Sequence, residues 1–257
     1  MATAYPIELN GLTYLLDGAA ILDNIDLTVR RREIVAIMGR TGAGKTTLLR
    51  LIIGLIKPAA GAIHINGTDI TRLDEFHLDR VRMKMGMVFQ GGALFDSMTV
   101  AENVGFPLVE HRFLPPHEVA DRVCQLLEMV EMAGTEDLLP AQLSGGMRKR
   151  VGIARALAQQ PQIVLYDEPT AGLDPISASA IDHLIVRLRD QVGAASVVVS
   201  HDVRSLRRIA DRAALLHRGR FLAAGPLDEL DRSPDPAVQQ FLSGSPEGPL
   251  TEAGTGD

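Results

Sequence analysis

The nine residues Gly39-Arg40-Thr41-Gly42-Ala43-Gly44-Lys45-Thr46-Thr47 restrict the fold more than any other part of the chain. They fit the pattern G-x-x-x-x-G-K-[ST], which carries weight only between a strand and a helix. Both flanks comply. Glu33-Ile34-Val35-Ala36-Ile37-Met38 has the apolar run of a buried strand, and Thr47-Leu48-Leu49-Arg50-Leu51-Ile52-Ile53 has helical character. Glycines at 39, 42 and 44 let the backbone turn tightly and aim successive N–H groups inward, forming an anion nest. The helix that follows adds the positive end of its dipole. In such a loop Lys45 reaches β- and γ-phosphates, and the Thr46 hydroxyl sits on Mg²⁺. The sequence therefore predicts a nucleotide site on an α/β scaffold.

Bulk properties narrow the setting. With 257 residues, the chain has enough length for one large α/β domain with subdomains. A formal net charge of −6 leaves no broad basic excess to displace counterions, which argues against a general nucleic-acid binder. Cys124 is the sole cysteine, so no internal disulfide can form, in keeping with a reducing compartment. The first eleven residues have neither the basic start nor the apolar core of a signal peptide. The longest apolar stretch, 48–65, is broken by Arg50, Lys57, Pro58 and Gly61, so no transmembrane segment is expected.

Residues 7–29 alternate apolar and polar, with turn signals at Asn10-Gly11 and Asp17-Gly18, which predicts an antiparallel β region. Residues 62–67 read as a strand entering a hairpin, with His64 as a plain strand residue, and 83–89 as a further strand. From about 96 to 160 helical periodicity dominates, suggesting a helical subdomain inserted into the α/β core. Beyond it, Ile163-Val164-Leu165-Tyr166 and Ala195-Ser196-Val197-Val198-Val199 suit strands buried on both faces, separated by helical stretches at 176–190 and 203–210. The main domain is expected to span 1–242. The extension 243–257, rich in Gly, Pro, Ser, Thr and acids, is expected to be partly disordered.

Three further stretches carry chemistry. The strand at 163–166 runs into Asp167-Glu168, and two carboxylates at the C-terminal end of a buried strand lie where α/β sheets bind ligands. Asp167 suits a metal, and Glu168 suits a general base that polarises water. The strand at 197–199 ends in Ser200-His201-Asp202, which places His201 to contact a γ-phosphate. Leu143-Ser144-Gly145-Gly146-Met147 opens a helix over 148–159, where Ser144 can cap and two glycines expose amides, a second anion site. The cluster Arg148-Lys149-Arg150 on that helix reads as a solvated face.

Together, residues 39–47, Gln90, 143–147, Asp167-Glu168, Gly172-Leu173-Asp174 and His201 resemble the ATP-binding cassette (ABC) ATPases in order and spacing. The resemblance spans about residues 7–242. It implies a P-loop NTPase, RecA-like α/β core with an antiparallel β subdomain and an inserted helical subdomain. It implies ATP and Mg²⁺ as ligands, and a head-to-tail homodimer that sandwiches two nucleotides. Ser144, Gly145 and Gly146 of one chain would then face the phosphate loop of the other. Gln90 would sense Mg²⁺ and the lytic water, making Glu168, His201 and Gln90 the catalytic set and Thr46, Gln90 and Asp167 the metal set. Asp174 would couple the two sites. One departure concerns the base: the position where the family places an adenine-stacking aromatic holds Leu16, with Tyr14 two residues earlier.

A narrower resemblance follows Gln90. Gly91-Gly92-Ala93-Leu94-Phe95, then Val100, Asn103-Val104 and Pro107-Leu108, look like the ATPase subunits of Mla-type phospholipid transporters that work with Mce-domain proteins, as does the tail at 241–249. This implies a permease partner docking near Ala93, Leu94 and Phe95, an Mce-domain protein, a small STAS-like subunit, and a place on the cytoplasmic face of a bacterial inner membrane. Two alternatives stand beside it: the ATPase of a nutrient importer, or a soluble ABC ATPase acting as an assembly switch.

Overall fold

A computed structural model describes residues 4–251. Its first unit is an antiparallel sheet. Strands β1 (Ile7–Leu16) and β2 (Ala19–Val29) form a hairpin closed at Asp17-Gly18. The expected turn at Asn10-Gly11 is not one: Gly11 lies inside β1 at φ +57, where the register with β2 shifts. A left-handed residue within a strand makes a bulge that bends the ladder without ending it.

Strand β3 (Ile34–Met38) leads through the glycine loop into helix α1 (Lys45–Ile52). Then come β4 (Ala60–Ile65) and the short β5 (Thr68–Asp69), joined across Asn66-Gly67 and completing the sheet order β2-β1-β4-β5. His64 pairs with Glu8 within this sheet, as an ordinary strand residue.

Helix α2 (Glu75–Arg82) precedes β6 (Met85–Val88), and the helical unit follows as α3 (Val100–Glu110), α4 (Pro116–Met129) and α5 (Gly145–Ala156). Local chemistry sets its boundaries. Thr99 and Glu102 form a capping box at the start of α3, Pro116 opens α4, and Ser144 caps α5. Buried Asn103 ties down the preceding loop: its amide accepts from the Phe95 N–H and donates to the carbonyls of Phe95, Met98 and Thr99.

The chain then returns through β7 (Ile163–Asp167), α6 (Pro175–Val192), β8 (Ala195–Ser200), α7 (Val203–Ile209), β9 (Arg212–His217) and β10 (Arg220–Gly225), and ends in α8 (Leu227–Asp231) and α9 (Pro236–Ser243). The main sheet has the order β10-β9-β3-β8-β7-β6, parallel throughout except for β10. Its strands are covered on both faces, which explains why they read as unbroken apolar runs. Alternate residues feed two cores. Ile34, Ala36, Met38, Val164, Tyr166 and Val198 join the helical unit, whereas Val35, Ile37, Leu165, Val197 and Val199 join α1 and the antiparallel sheet. Each large side chain so buried contributes about 1.5–3 kcal/mol relative to exposure.

Register decides where the chemistry falls. Met38 pairs with Ser200, and Asp167 with Val199, so β3, β7 and β8 end together. Their next residues, Gly39, Glu168 and His201, therefore gather at one edge, outside the carboxyl ends of parallel strands.

The C-terminal extension is more structured than its composition suggests. Within 244–251, Leu250 is buried, its N–H donates to Gln240 Oε1 at 2.7 Å, and its carbonyl accepts from Arg40 Nη1 at 2.7 Å. One apolar anchor and one buried glutamine thus hold a segment whose polar composition resembles a loose tail. Residues 252–257, also expected to be disordered, lie outside the described residues.

Candidate nucleotide site

The glycine loop wraps the N-terminus of α1. Gly44 caps that helix at φ +102, and a Cβ there would come 2.9 Å from Leu22, so both backbone angle and space call for glycine. Lys45 is buried; its Nζ donates to the Gly39 carbonyl at 2.8 Å and the Arg40 carbonyl at 3.1 Å, and lies 3.6 Å from Glu168 Oε1. The Thr46 hydroxyl donates to Asp167 Oδ1 at 3.1 Å. Burial raises the Asp167 carboxyl above the ordinary aspartate range, aided by the nearby Glu168 charge and opposed by the Thr46 hydrogen bond, Arg50 and Lys45. A buried carboxylate held against a hydroxyl is a hard-oxygen pair of the kind Mg²⁺ takes.

Glu168 sits one residue past β7 with a left-handed backbone, φ +46, which is strained for a residue with a side chain and persists only where neighbours over-determine it. Ser200 Oγ donates to Oε2 at 3.1 Å, and His201 Nδ1 lies 3.0 Å from Oε1. The His201 side chain is 58% exposed, so its ring borders the cleft while anchored to the carboxylate. Thr41, Gly42, Gly44, Lys45, Thr46, Thr47, Gln90, Glu168 and His201 line one cleft of about 510 Å³.

At the far end of this cleft stand Tyr14, Leu16 and Ile21. Leu16 is exposed, while Tyr14 packs against the core. This part of the cleft thus offers an exposed aliphatic surface at Leu16.

Ser144, Gly145 and Gly146 are not among the residues lining the cleft. Ser144 accepts from the Met147 N–H at 3.2 Å and caps α5, but it faces solvent, and a Cβ at Gly146 would meet nothing within 4 Å. Asp174 caps α6 by accepting from the amides of Ile176 and Ser177, and the adjacent Ile176 is 83% exposed. Within one chain, therefore, the phosphate-loop cleft and the helix start at Ser144-Gly145-Gly146 stand apart.

The basic cluster departs from expectation. Arg148 donates to the Leu143 carbonyl at 2.6 Å, Arg150 to the Val130 carbonyl and Glu131, and Lys149 is buried. Burial lowers the Lys149 ammonium below the usual lysine range, opposed by the carboxylates of Glu168 and Asp167. None of the three forms a free solvated face, because the Gln90 loop and the end of α4 cover this side of α5. Ser200, which orients Glu168, was also missed; its place immediately before His201 was the available signal. Ala93 and Phe95 line a second groove of about 460 Å³ with Phe89, Phe106 and Pro107, whereas Leu94 packs into the core.

A family model described as ABC transporter matches residues 22–171. The chain belongs to the ABC transporter family. It is 43% identical over 244 residues to the intermembrane phospholipid transport system ATP-binding protein MlaF of Haemophilus influenzae, covering 95% of this chain and 92% of that one. It is 39% identical to the "Probable ribonucleotide transport ATP-binding protein mkl" of Mycobacterium tuberculosis, over 95% of this chain and 68% of that protein. Among solved structures, the cassette resembles a dimeric post-hydrolysis state of the ATP-binding cassette MJ0796 bound to ADP and phosphate. There the TM-score is 0.79 at 34% identity, covering 86% of this chain and 98% of that one. It also resembles cbiO1 of Clostridium perfringens, with a TM-score of 0.84 at 31% identity, covering 90% and 92%. The protein is thus the ATP-hydrolysing subunit of an ABC system, with the α/β cassette fold that the sequence predicts. Among the described residues, no helix is long and apolar enough to cross a membrane.

Proposed function

We propose that this cassette powers phospholipid transport between membranes from the cytoplasmic face of a bacterial inner membrane, as a homodimer bound to a permease. The observation that carries the cargo is the 43% identity to MlaF proteins over nearly the whole of both chains. The mycobacterial relative, whose name specifies ribonucleotides, supports a second reading as a nutrient importer.

The geometry of the site supports the chemistry we assign to it. Residues 39–47 cradle the phosphates, and Lys45 exchanges its contacts with Gly39 and Arg40 for phosphate oxygens. Thr46 and Asp167 fit Mg²⁺, with the Gln90 amide at the cleft wall as a further oxygen donor. Bound there, Mg²⁺ neutralises the charge that develops on the β- and γ-phosphates. Glu168 takes the proton of the attacking water, while Ser200 and His201 hold its carboxylate in place. His201, at the cleft surface, also reaches the γ-phosphate. The base rests on Leu16 and Ile21.

Ser144, Gly145 and Gly146 complete the site of a second chain. Their amides at a helix start match the anion that the other phosphate loop presents. A twofold pair makes two such sites, and exposed Ile176 beside Asp174 supplies apolar surface for the seam. The groove at Ala93 and Phe95 receives the permease, and closure of the pair pulls on it. An Mce-domain protein and a small STAS-like subunit complete the proposed assembly.

Gentle detergent extraction followed by identification of co-purifying chains tests this assembly. A permease with an Mce-domain partner is expected, and recovery of soluble partners alone would remove the transport reading. In the reconstituted complex, ATP-dependent transfer of labelled phospholipid between vesicles separates the MlaF-like cargo from uptake of ribonucleotides.

A further inference from the structure

Lys149 is the buried basic residue of α5, and the nucleotide site as described gives it no task. It is 5% exposed, and its Nζ donates to two backbone carbonyls, those of Gln90 and, at 3.1 Å, Glu168. We propose that Lys149 is a positioning residue for ATP hydrolysis: its buried ammonium on α5 fastens the Gln90 loop to the Glu168 turn. The inference rests on the roles given above to Gln90 and Glu168.

The cost of burying an ammonium requires a return, because a desolvated cation needs well-placed acceptors. Its acceptors here belong to the two residues assigned to the lytic water. Lys149 does not act alone on the first of them. Residues 149, 152 and 155 share one face of α5 at helical spacing. Arg155 donates to the carbonyls of Gly92 at 2.9 Å and Ala93 at 2.8 Å. A Cβ at Gly152 would lie 3.2 Å from Gly92 Cα, so helix and loop are packed as closely as glycine permits. The loop at 90–93 therefore moves with α5.

Lys149 extends that attachment across to β7. The Glu168 backbone is left-handed, with its N–H on the Val199 carbonyl at 3.0 Å and its own carbonyl accepting from Ala171 at 3.2 Å. The ammonium adds a charge-assisted bond to that carbonyl and helps hold the strained turn that aims the carboxylate. When α5 shifts toward a nucleotide in the second chain, the Gln90 amide and the Glu168 carboxylate shift together. The same helix presents Ser144 to that nucleotide, so arrival of the partner phosphate is transmitted to the Gln90 loop by Lys149 and Arg155, and onward to the Glu168 turn by Lys149.

The test compares Lys149→Met with Lys149→Arg in the full chain. Loss of the ammonium is expected to lower kcat about 10- to 100-fold, the range for losing a hydrogen bond to a charged group. KM for ATP should move less than about threefold, because only positioning is lost. Lys149→Arg, which keeps charge and donors, should recover most of the rate. Amide hydrogen exchange should rise in 89–92 and 168–171 together when the ammonium is removed. Wild-type kcat in Lys149→Met, equal losses in both variants, or faster exchange in only one segment would overturn the proposal. If Lys149→Met does not fold, Lys149→Gln is judged by the same outcomes. Glu168→Gln separates the two levels: if it hydrolyses normally, the site assignment fails, whereas the exchange result still reports whether the two loops are joined.

Discussion

Two helix starts in this chain look alike in sequence and differ in the fold. Gly44-Lys45 opens α1 inside a cleft with a buried lysine, a hydroxyl and two carboxylates converging on it. Gly145-Gly146 opens α5 at the surface, with a capping serine and open space. Both are helix N-termini of the kind that suits an anion, but only the first is surrounded by a lysine, a hydroxyl and carboxylates. The contrast teaches that a complete set of family motifs in one chain need not make a complete site. In the function proposed above, the second helix start acquires a purpose when another copy brings its phosphate to it.

The largest expected effect belongs to the chemical end. Glu168→Gln should reduce turnover by about 10²–10⁴ while nucleotide still binds, measured by steady-state hydrolysis beside equilibrium binding. Normal turnover would mean that the first end works without its base. At the second end, Gly146→Asp sets a carboxylate in open space, so the chain should fold. Turnover should drop about 10²-fold through loss of a preorganised donor site, with nucleotide affinity of the single chain unaffected. If affinity falls equally, the two ends belong to one chain and the contrast collapses.

Lys45→Ala should weaken ATP binding by about 10- to 100-fold, read by titration with a fluorescent nucleotide. Mixing that variant with Gly146→Asp sharpens the point, since a mixed pair retains one unaltered composite site. Trapped nucleotide should reappear at one per mixed pair. Smallest is the effect of ending the chain after Ser243, which leaves Gln240 and Arg40 without their Leu250 partners. Stability should fall by about 1–3 kcal/mol in denaturant unfolding, with turnover changed far less than by Glu168→Gln.

The first helix start was legible because its signal is local: glycines, lysine and threonine at fixed spacing after a buried strand. Asp167, Glu168 and His201 were legible for a related reason, since parallel strands that end together deliver their next residues to one edge. Lys149 was not. Three consecutive basic residues on a helix ordinarily meet water, and nothing in residues 148–150 says that the loop after Gln90 will lie across them. Gly11 shows the same limit at the level of shape, because Asn-Gly signals a turn whether the chain reverses or merely bulges. The segment at 244–251 hid its order in one apolar residue, Leu250, among polar neighbours.

The positive φ of Glu168 narrows the vocabulary of that position independently of acid–base chemistry. Valine, isoleucine and threonine crowd their own backbone in that conformation, whereas glycine and asparagine accept it readily. Replacements there consequently sort into two experiments: glutamine interrogates the proton, and a β-branched residue interrogates the bend in the main chain. A library scored only by activity would merge the two and assign to catalysis losses that began as torsion.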